Sequence, residues 1–320
     1  MDEFGLIATH LAPLAAPEGR GLLDDAATLP VRPGETLVVT ADALVEGVHF
    51  LPADPPGEVA RKLLRVNLSD LAAKGARPAH YLLTLALPRG VEESEIAAFA
   101  AGLAADQAAF GIALLGGDTV ATSGPRLYAV TAFGWTRGPF LGRAGARVGD
   151  RVFVTGTIGD AGLGLKALTG SAGALSREAA AFAIGRYRRP EPRVGLGPAL
   201  GGLASAALDI SDGLAADAGH LAAVSGVRLR IEASAVPLSI AMEEALARGH
   251  MSMADIVSAG DDYEILLTAP PEAGARLSAA AEAAGVALTP IGRVEAGEGV
   301  VIENPGGRAL VLERAGYRHF

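Results

Sequence analysis

The chain contains no cysteine among its 320 residues. That removes disulfides, cysteine-type zinc sites and thiol nucleophiles, and it fits a cytoplasmic protein. Positive charge is also in short supply. With 27 Lys and Arg against 36 Asp and Glu, the net charge is −9, so no general basic surface invites nucleic acid or an anionic membrane. Long apolar runs are missing as well: the most apolar long window, 96–116, is broken by Asp106 and Gln107 and does not suit a bilayer. The opening Met1-Asp2-Glu3 lacks the positive start of a secretory signal. Six scattered histidines and no H-E-x-x-H pattern argue against a histidine-rich transition-metal site.

What is present is a soluble, globular composition, half hydrophobic and one fifth charged, of a length that suits two domains. Strand-like and helix-like segments alternate. Strands are predicted over 36–40, 81–88, 112–119, near 126–135, and over 151–156, 227–232, 263–268 and 288–294. Helices are predicted over 3–12, 57–75, 92–110, 195–206, 213–224 and 271–285. The Gly- and Arg-rich stretch 138–150 interrupts this pattern and reads as the boundary between two mixed α/β domains, 1–140 and 141–320.

Acidic residues recur where apolar segments end. Asp24 and Asp25 lie in L-L-D-D-A-A, Thr40 and Asp42 in V-T-A-D-A-L-V-E-G-V-H-F, Asp70 in N-L-S-D-L-A-A, and Asp118 in L-G-G-D-T. Asp209 and Asp212 lie in L-D-I-S-D-G-L-A-A-D. The two Ser-Asp motifs echo each other, one per half, and a Ser or Asp there is also a good helix N-cap. The number of carboxylates favours another reading. Carboxylates gathered at one site repel each other and any phosphate; magnesium, which takes oxygen ligands and bridges carboxylates to substrate phosphates, relieves both repulsions. The Gly-rich T-G-T-I-G-D-A-G-L-G-L-K (155–166) is a candidate phosphate loop. It is not a Walker A, because Leu165 intervenes before Lys166 and no Ser or Thr follows; alone it reads equally as a tight strand-to-helix turn.

Taken in order, D-D-A-A, T-A-D-A-L-V-E-G-V-H-F, V-N-L-S-D-L-A-A-K-G-A-R-P, G-G-D-T, R-A-G-A (143–146), L-D-I-S-D-G-L, G-D-D-Y-E-I and the closing G-Y-R-H-F resemble the thiamine-monophosphate kinases from about residue 3 to residue 320. The resemblance implies an aminoimidazole-ribonucleotide-synthetase-like α/β (α+β) fold of two domains, with the N-terminal one pairing in a homodimer and the C-terminal one closing over the nucleotide. It implies ATP-dependent conversion of thiamine monophosphate to thiamine diphosphate with several Mg2+ ions. It further implies that Asp25, Thr40, Asp42, Asp70, Asp118, Asp209 and Asp212 hold metal, that Gly117, Arg143 and Ser211 contact ATP, and that His49, Asp261 and Tyr317 contact the thiamine substrate. Three positions depart from the family pattern: Ala41 replaces a usual hydroxyl residue, Ala144 follows Arg143 where Ser is usual, and Asp261 stands where Glu is usual.

The expected acceptor, a phosphate monoester with a second pKa of about 6, is already largely ionised at neutral pH. Phosphoryl transfer to it needs in-line positioning and charge neutralisation, and no general base. Rival readings are another ATP-using member of the superfamily such as aminoimidazole-ribonucleotide synthetase, a magnesium-dependent phosphatase, or a catalytically silent nucleotide-binding regulator.

Overall fold

The computed structural model describes residues 3–24 and 26–317. The chain divides into two compact units, Met1–Leu71 with Ala76–Arg137, and Ala72–Gly75 with Gly138–Phe320. Among the described residues no helix is long and apolar enough to cross a membrane.

The first unit begins with α1 (Glu3–Leu6), which passes into a π-helical turn at Ile7–Leu11 and a 3-10 turn containing Pro13. This breaks up the helix predicted over 3–12, because Pro13 has no N–H to continue the ladder. Then come β1 (Thr36–Val45), α2 (Pro56–Ala73), β2 (Arg77–Pro88), α3 (Glu93–Phe110), β3 (Ala113–Thr122) and β4 (Leu127–Thr136). The sheet order is β1-β4-β2-β3. β2 and β3 are parallel, joined by α3, and β4 runs antiparallel to β1 and β2.

Side chains alternate across a strand, so each face can be read from the register. One face carries Leu44, Tyr128, Val130, Leu83 and Leu85, all buried, and the helices cover it. Phe99 of α3 packs on Tyr128 with ring centroids 4.7 Å apart. A Cβ on Gly102 of α3 would stand 2.2 Å from the Gly57 carbonyl of α2, so glycine permits this close helix contact. Asp106, which interrupts the apolar α3, is fully buried between Arg65 (Nε–Oδ2 2.6 Å) and Arg61 (Nε–Oδ1 3.0 Å). The opposite face of the sheet is open: Val39, Leu37, Leu82 and Val120 are 52%, 38%, 37% and 45% exposed.

The second unit holds β5 (Arg151–Thr155), α4 (Asp160–Leu168), α5 (Arg177–Arg188), α6 (Gly197–Leu200), β6 (Ala206–Asp209), α7 (Leu214–Ser225), β7 (Arg228–Glu232), α8 (Ile240–Ala247) and α9 (Met253–Ser258). β8 (Ile265–Ala269), α10 (Gly274–Ala283), β9 (Leu288–Glu295) and β10 (Gly299–Glu303) complete it. Its six strands are ordered β10-β7-β9-β5-β8-β6. Both faces are buried, as the alternation along β5 records. Val152 and Val154 join one core with Leu163, Ala183, Leu221, Met242 and Ile256, whereas Phe153 joins another with Leu200 and Leu277. The helix predicted over 195–206 is reduced to the single turn of α6, and Ala206 instead opens β6.

The Gly-rich 155–166 loop is satisfied from within. Buried Asp262 accepts the amides of Gly159 (2.6 Å) and Ala161 (3.4 Å) at the start of α4. Nearby, Asp160 accepts the hydroxyls of Ser239 and Thr157, both at 2.5 Å. Glu264, fully buried, is held by Arg186 (2.7 Å), Thr155 (2.7 Å) and Arg193.

Burial drives the Asp262 carboxyl well above the usual carboxylate range, against the pull of its amide bonds, and burial raises Asp160 too. A raised acid pKa means the folded state holds a proton that the unfolded chain has lost. The stability it contributes is full below the unfolded pKa of about 4 and is lost as pH rises through the folded value. Asp262→Asn has no such proton to lose. Its melting temperature relative to wild type is therefore expected to improve between about pH 5 and about pH 8. Thermal melts across that range check this, and parallel slopes for the two proteins would contradict it.

Candidate active site

Each unit carries its own cluster of the residues singled out in the sequence. In the first unit, Thr40 and Asp42 lie on the helix-covered face of β1, with Asp70 of α2 against them. The Thr40 hydroxyl donates to Asp70 Oδ2 at 2.5 Å. Burial, then the Asp70 charge, then the hydrogen bond with Asp70 push the Asp42 carboxyl up to about 7. Two carboxylates and a hydroxyl held this close, with one carboxylate favouring a proton in place of a cation, form an oxygen donor set that fits a hard divalent ion.

These residues do not end their segments as expected. β1 continues to Val45, so Thr40 and Asp42 are mid-strand, and Asp118 likewise lies inside β3. Asp70 lies inside α2 and caps nothing. Pairing through Asp118↔Thr84↔Ala129↔Ala43 puts Asp118 on the open face, opposite Asp42. There it lines a cavity of about 650 Å3 with Thr84, Leu82, Phe133 and the segment around Asp24 and Ala26. Gly117 abuts β2: a Cβ on it would fall 1.7 Å from the Leu83 carbonyl oxygen. His49 Nδ1 accepts the Val45 amide at 3.0 Å, and the His49 carbonyl accepts Lys62 Nζ at 2.9 Å. Asp25 lies outside the described residues.

In the second unit, Asp209 ends β6, and Ser211 and Asp212 form the turn into α7. The N-cap of α7 is Gly213, which has no side chain to cap with; capping therefore does not account for either Ser-Asp motif. Gly213 has φ 124°, and a Cβ there would meet the Ser258 carbonyl at 2.9 Å, so only glycine fits. Backbone hydrogen bonds bring two distant pieces to this turn. The Asp261 amide donates to the Ser211 carbonyl (2.8 Å) and the Tyr317 amide to the Asp212 carbonyl (3.0 Å). Asp261 and Tyr263 have positive φ, 69° and 51°, a strained geometry for side chains other than glycine and one frequent at functional sites.

The structure thus brings Asp209, Ser211, Asp212, Asp261 and Tyr317 together. Arg143 is elsewhere: its exposed loop is held by Ser225 Oγ, which donates to the Arg143 carbonyl at 3.3 Å at the far end of α7. Two residues not singled out in the sequence join Asp212. Carboxylate oxygens of Asp212 and Asp217 and a ring nitrogen of His220 lie within 4.8 Å of one another. The signal for Asp217 was the second acid of D-G-L-A-A-D, one turn into the helix.

Residues 23–136 match the family model for the AIR synthase related protein N-terminal domain, and residues 147–303 the model for its C-terminal domain. A thiamine-monophosphate kinase of Caulobacter vibrioides is 46% identical over 326 residues, spanning 99% of this chain and 90% of that protein. The chain belongs to the thiamine-monophosphate kinase family. Solved structures agree. The thiamine-monophosphate kinase of Stenotrophomonas maltophilia superposes with a TM-score of 0.82 at 42% identity, over 90% of this chain and 91% of that one. AaThiL complexed with AMPPCP and TMP gives 0.81 at 34% identity, over 99% and 97%. The Escherichia coli hydrogenase maturation protein HypE shares the fold at 22% identity with a TM-score of 0.79. The fold is therefore shared beyond the thiamine-monophosphate kinases, and the carboxylate clusters set on it carry the functional argument.

Proposed function

We propose that the protein transfers the γ-phosphoryl group of ATP to the phosphate of thiamine monophosphate, forming thiamine diphosphate. The observation that carries this reading is the full-length similarity to AaThiL, solved with AMPPCP and TMP, on a chain that presents two separate carboxylate clusters. Thr40, Asp42 and Asp70, with Asp25, are metal ligands of the first unit on one face of its sheet, and Asp118 is a metal ligand on the other; Asp209 and Asp212 are those of the second. Mg2+ held by these residues would neutralise phosphate charge. Gly117, Arg143 and Ser211 contact ATP, and His49, Asp261 and Tyr317 contact the thiamine substrate. None of these side chains has to remove a proton from the acceptor, whose phosphate oxygen is already ionised.

Supplying thiamine monophosphate, ATP and Mg2+ should give thiamine diphosphate and ADP in equal amounts. Release of inorganic phosphate without thiamine diphosphate would point to the phosphatase reading. The acidic, cysteine-free composition supports a cytoplasmic setting.

The protein acts as a homodimer joined through the open face of the first sheet. A sheet with apolar side chains on both faces calls for a cover on each, and Leu37, Val39, Leu82 and Val120 stand uncovered in the single chain. A second copy there would also meet the face that bears Asp118. Light scattering is expected to give twice the 32.3 kDa chain mass, and Val39→Asp to give a monomer. A monomer mass for wild type at micromolar concentration would refute the dimer.

A further inference from the structure

The turn that carries Ser211 and Asp212 is fixed at successive backbone polar groups. The Ile210 amide donates to the Glu264 carbonyl, and the Ile210 carbonyl accepts the Tyr263 amide, both at 2.8 Å. The Ser211 and Asp212 carbonyls are taken by Asp261 and Tyr317, and the Gly213 carbonyl by the Asp217 amide at 3.0 Å. Three amides remain, those of Ser211, Asp212 and Gly213, and all three converge on one atom. Asp217 Oδ2 accepts them at 3.0, 3.0 and 3.2 Å.

This side chain is 3% exposed. It sits on the first turn of α7 and reaches back to amides that precede the helix, a place where helix N-termini otherwise leave donors unpaired. The same carboxylate keeps an oxygen within 4.8 Å of the Asp212 carboxylate, so the arrangement holds like charges close together, which favours a cation beside them.

We propose that Asp217 is a positioning residue for the reaction. Its carboxylate sets the shape of the 211–213 turn, which aims the Asp212 side chain, and the carbonyls of that turn hold the Asp261 and Tyr317 segments in register with it. Metal ligand and substrate residues thereby share one hydrogen-bonded frame whose amide side depends on a single carboxylate oxygen. The inference rests on the reading of Asp212 as a metal ligand.

Asp217→Asn keeps the side-chain shape and one acceptor oxygen without the charge; Asp217→Ala removes the acceptor. Replacing groups that orient a metal ligand typically costs about 10–100-fold in metal affinity or activity. The Mg2+ concentration for half-maximal rate is expected to rise about tenfold in Asp217→Asn and further in Asp217→Ala, with kcat of the Asn variant largely restored at high Mg2+. Calorimetric titration of Mg2+ in the presence of AMPPCP should show the same weakening without turnover. The KM for thiamine monophosphate should rise as well. Circular dichroism and thermal melting identify folded variants, and if Asp217→Ala does not fold, the Asn variant alone decides.

Asp212→Asn separates the two claims. If it shifts the Mg2+ dependence and a folded Asp217→Asn does not, the positioning role is wrong while the metal reading stands. If Asp212→Asn shifts nothing, the metal reading fails and takes this inference with it. A fall in kcat of Asp217→Asn at an unchanged Mg2+ midpoint would mark a merely structural role and overturn the proposal.

Discussion

Asp212→Ala is expected to fold normally and to lose about 10²–10³-fold in kcat, the size of effect seen when one preorganised group facing transition-state charge is removed. The folding half of this expectation follows from the surroundings of Asp212. Its side chain is half-buried, and the bonds that shape the turn use its amide and carbonyl, which alanine retains. Removing its charge also relieves Asp217, whose carboxyl is pushed up to about 7 by burial first and the Asp212 charge second, against its three amide bonds. The catalytic half follows from charge balance: two polyanions must approach, and one oxygen donor fewer weakens the cation that allows it. Because the lost interaction is largest in the transition state, kcat should fall more than the KM values rise. Steady-state kinetics over a range of Mg2+ measures this, and a near-wild-type kcat at ordinary Mg2+ would contradict the assignment.

Unphosphorylated thiamine is expected to be a very poor acceptor, by at least about 10²–10⁴-fold in rate, the usual worth of general-base assistance. Its alcohol would have to surrender a proton during attack, and no side chain is assigned to take it. The two groups whose carboxyls are raised to about 7, Asp42 and Asp217, are engaged with Asp70 and with three amides respectively. Thiamine also lacks the phosphate by which bound Mg2+ would hold it in line, so positioning is lost in the same step. Chromatographic analysis of thiamine, ATP and Mg2+ incubated with the enzyme checks both. Thiamine monophosphate forming as fast as the diphosphate-forming reaction would require a base.

Much of the architecture was legible because strands such as Arg151–Thr155 and Ile265–Ala269 are short apolar runs bounded by turn residues. The polar site residues misled where they sit inside elements. Thr40 and Asp42 look like the end of a strand, yet β1 runs on through Val45, because small alanines on one face and α2 on the other leave room for them. The helices α5, α8 and α9 were not predicted, although Ser176, Ser239 and Ser252 each cap one with a hydroxyl. The α9 cap is a full capping box with Asp255, a local signal that periodicity alone does not register.

Which carboxylates face which partner was not legible at all. In G-D-D-Y-E-I the three acids diverge: Asp261 stays half-buried with positive φ, Asp262 turns inward to the α4 amides, and Glu264 lies between two arginines. Only the register of β8 and the turn before it decides that. Asp118 is a similar case, since the face it occupies depends on its pairing across three strands.

The hydrogen bonds around Asp212 also carry an order in time. Asp217 follows within the next few residues of the chain, Asp261 some fifty residues on, and Tyr317 about a hundred. At a synthesis rate of about 5–20 residues per second, the carbonyl of Asp212 waits at least about 5 s for its partner, while its amide has one almost at once. A nascent chain therefore has the turn shaped locally before the segments that seat the substrate have been made. The frame is closed from its nearest residue outward, and its last bond is contributed by one of the last residues described.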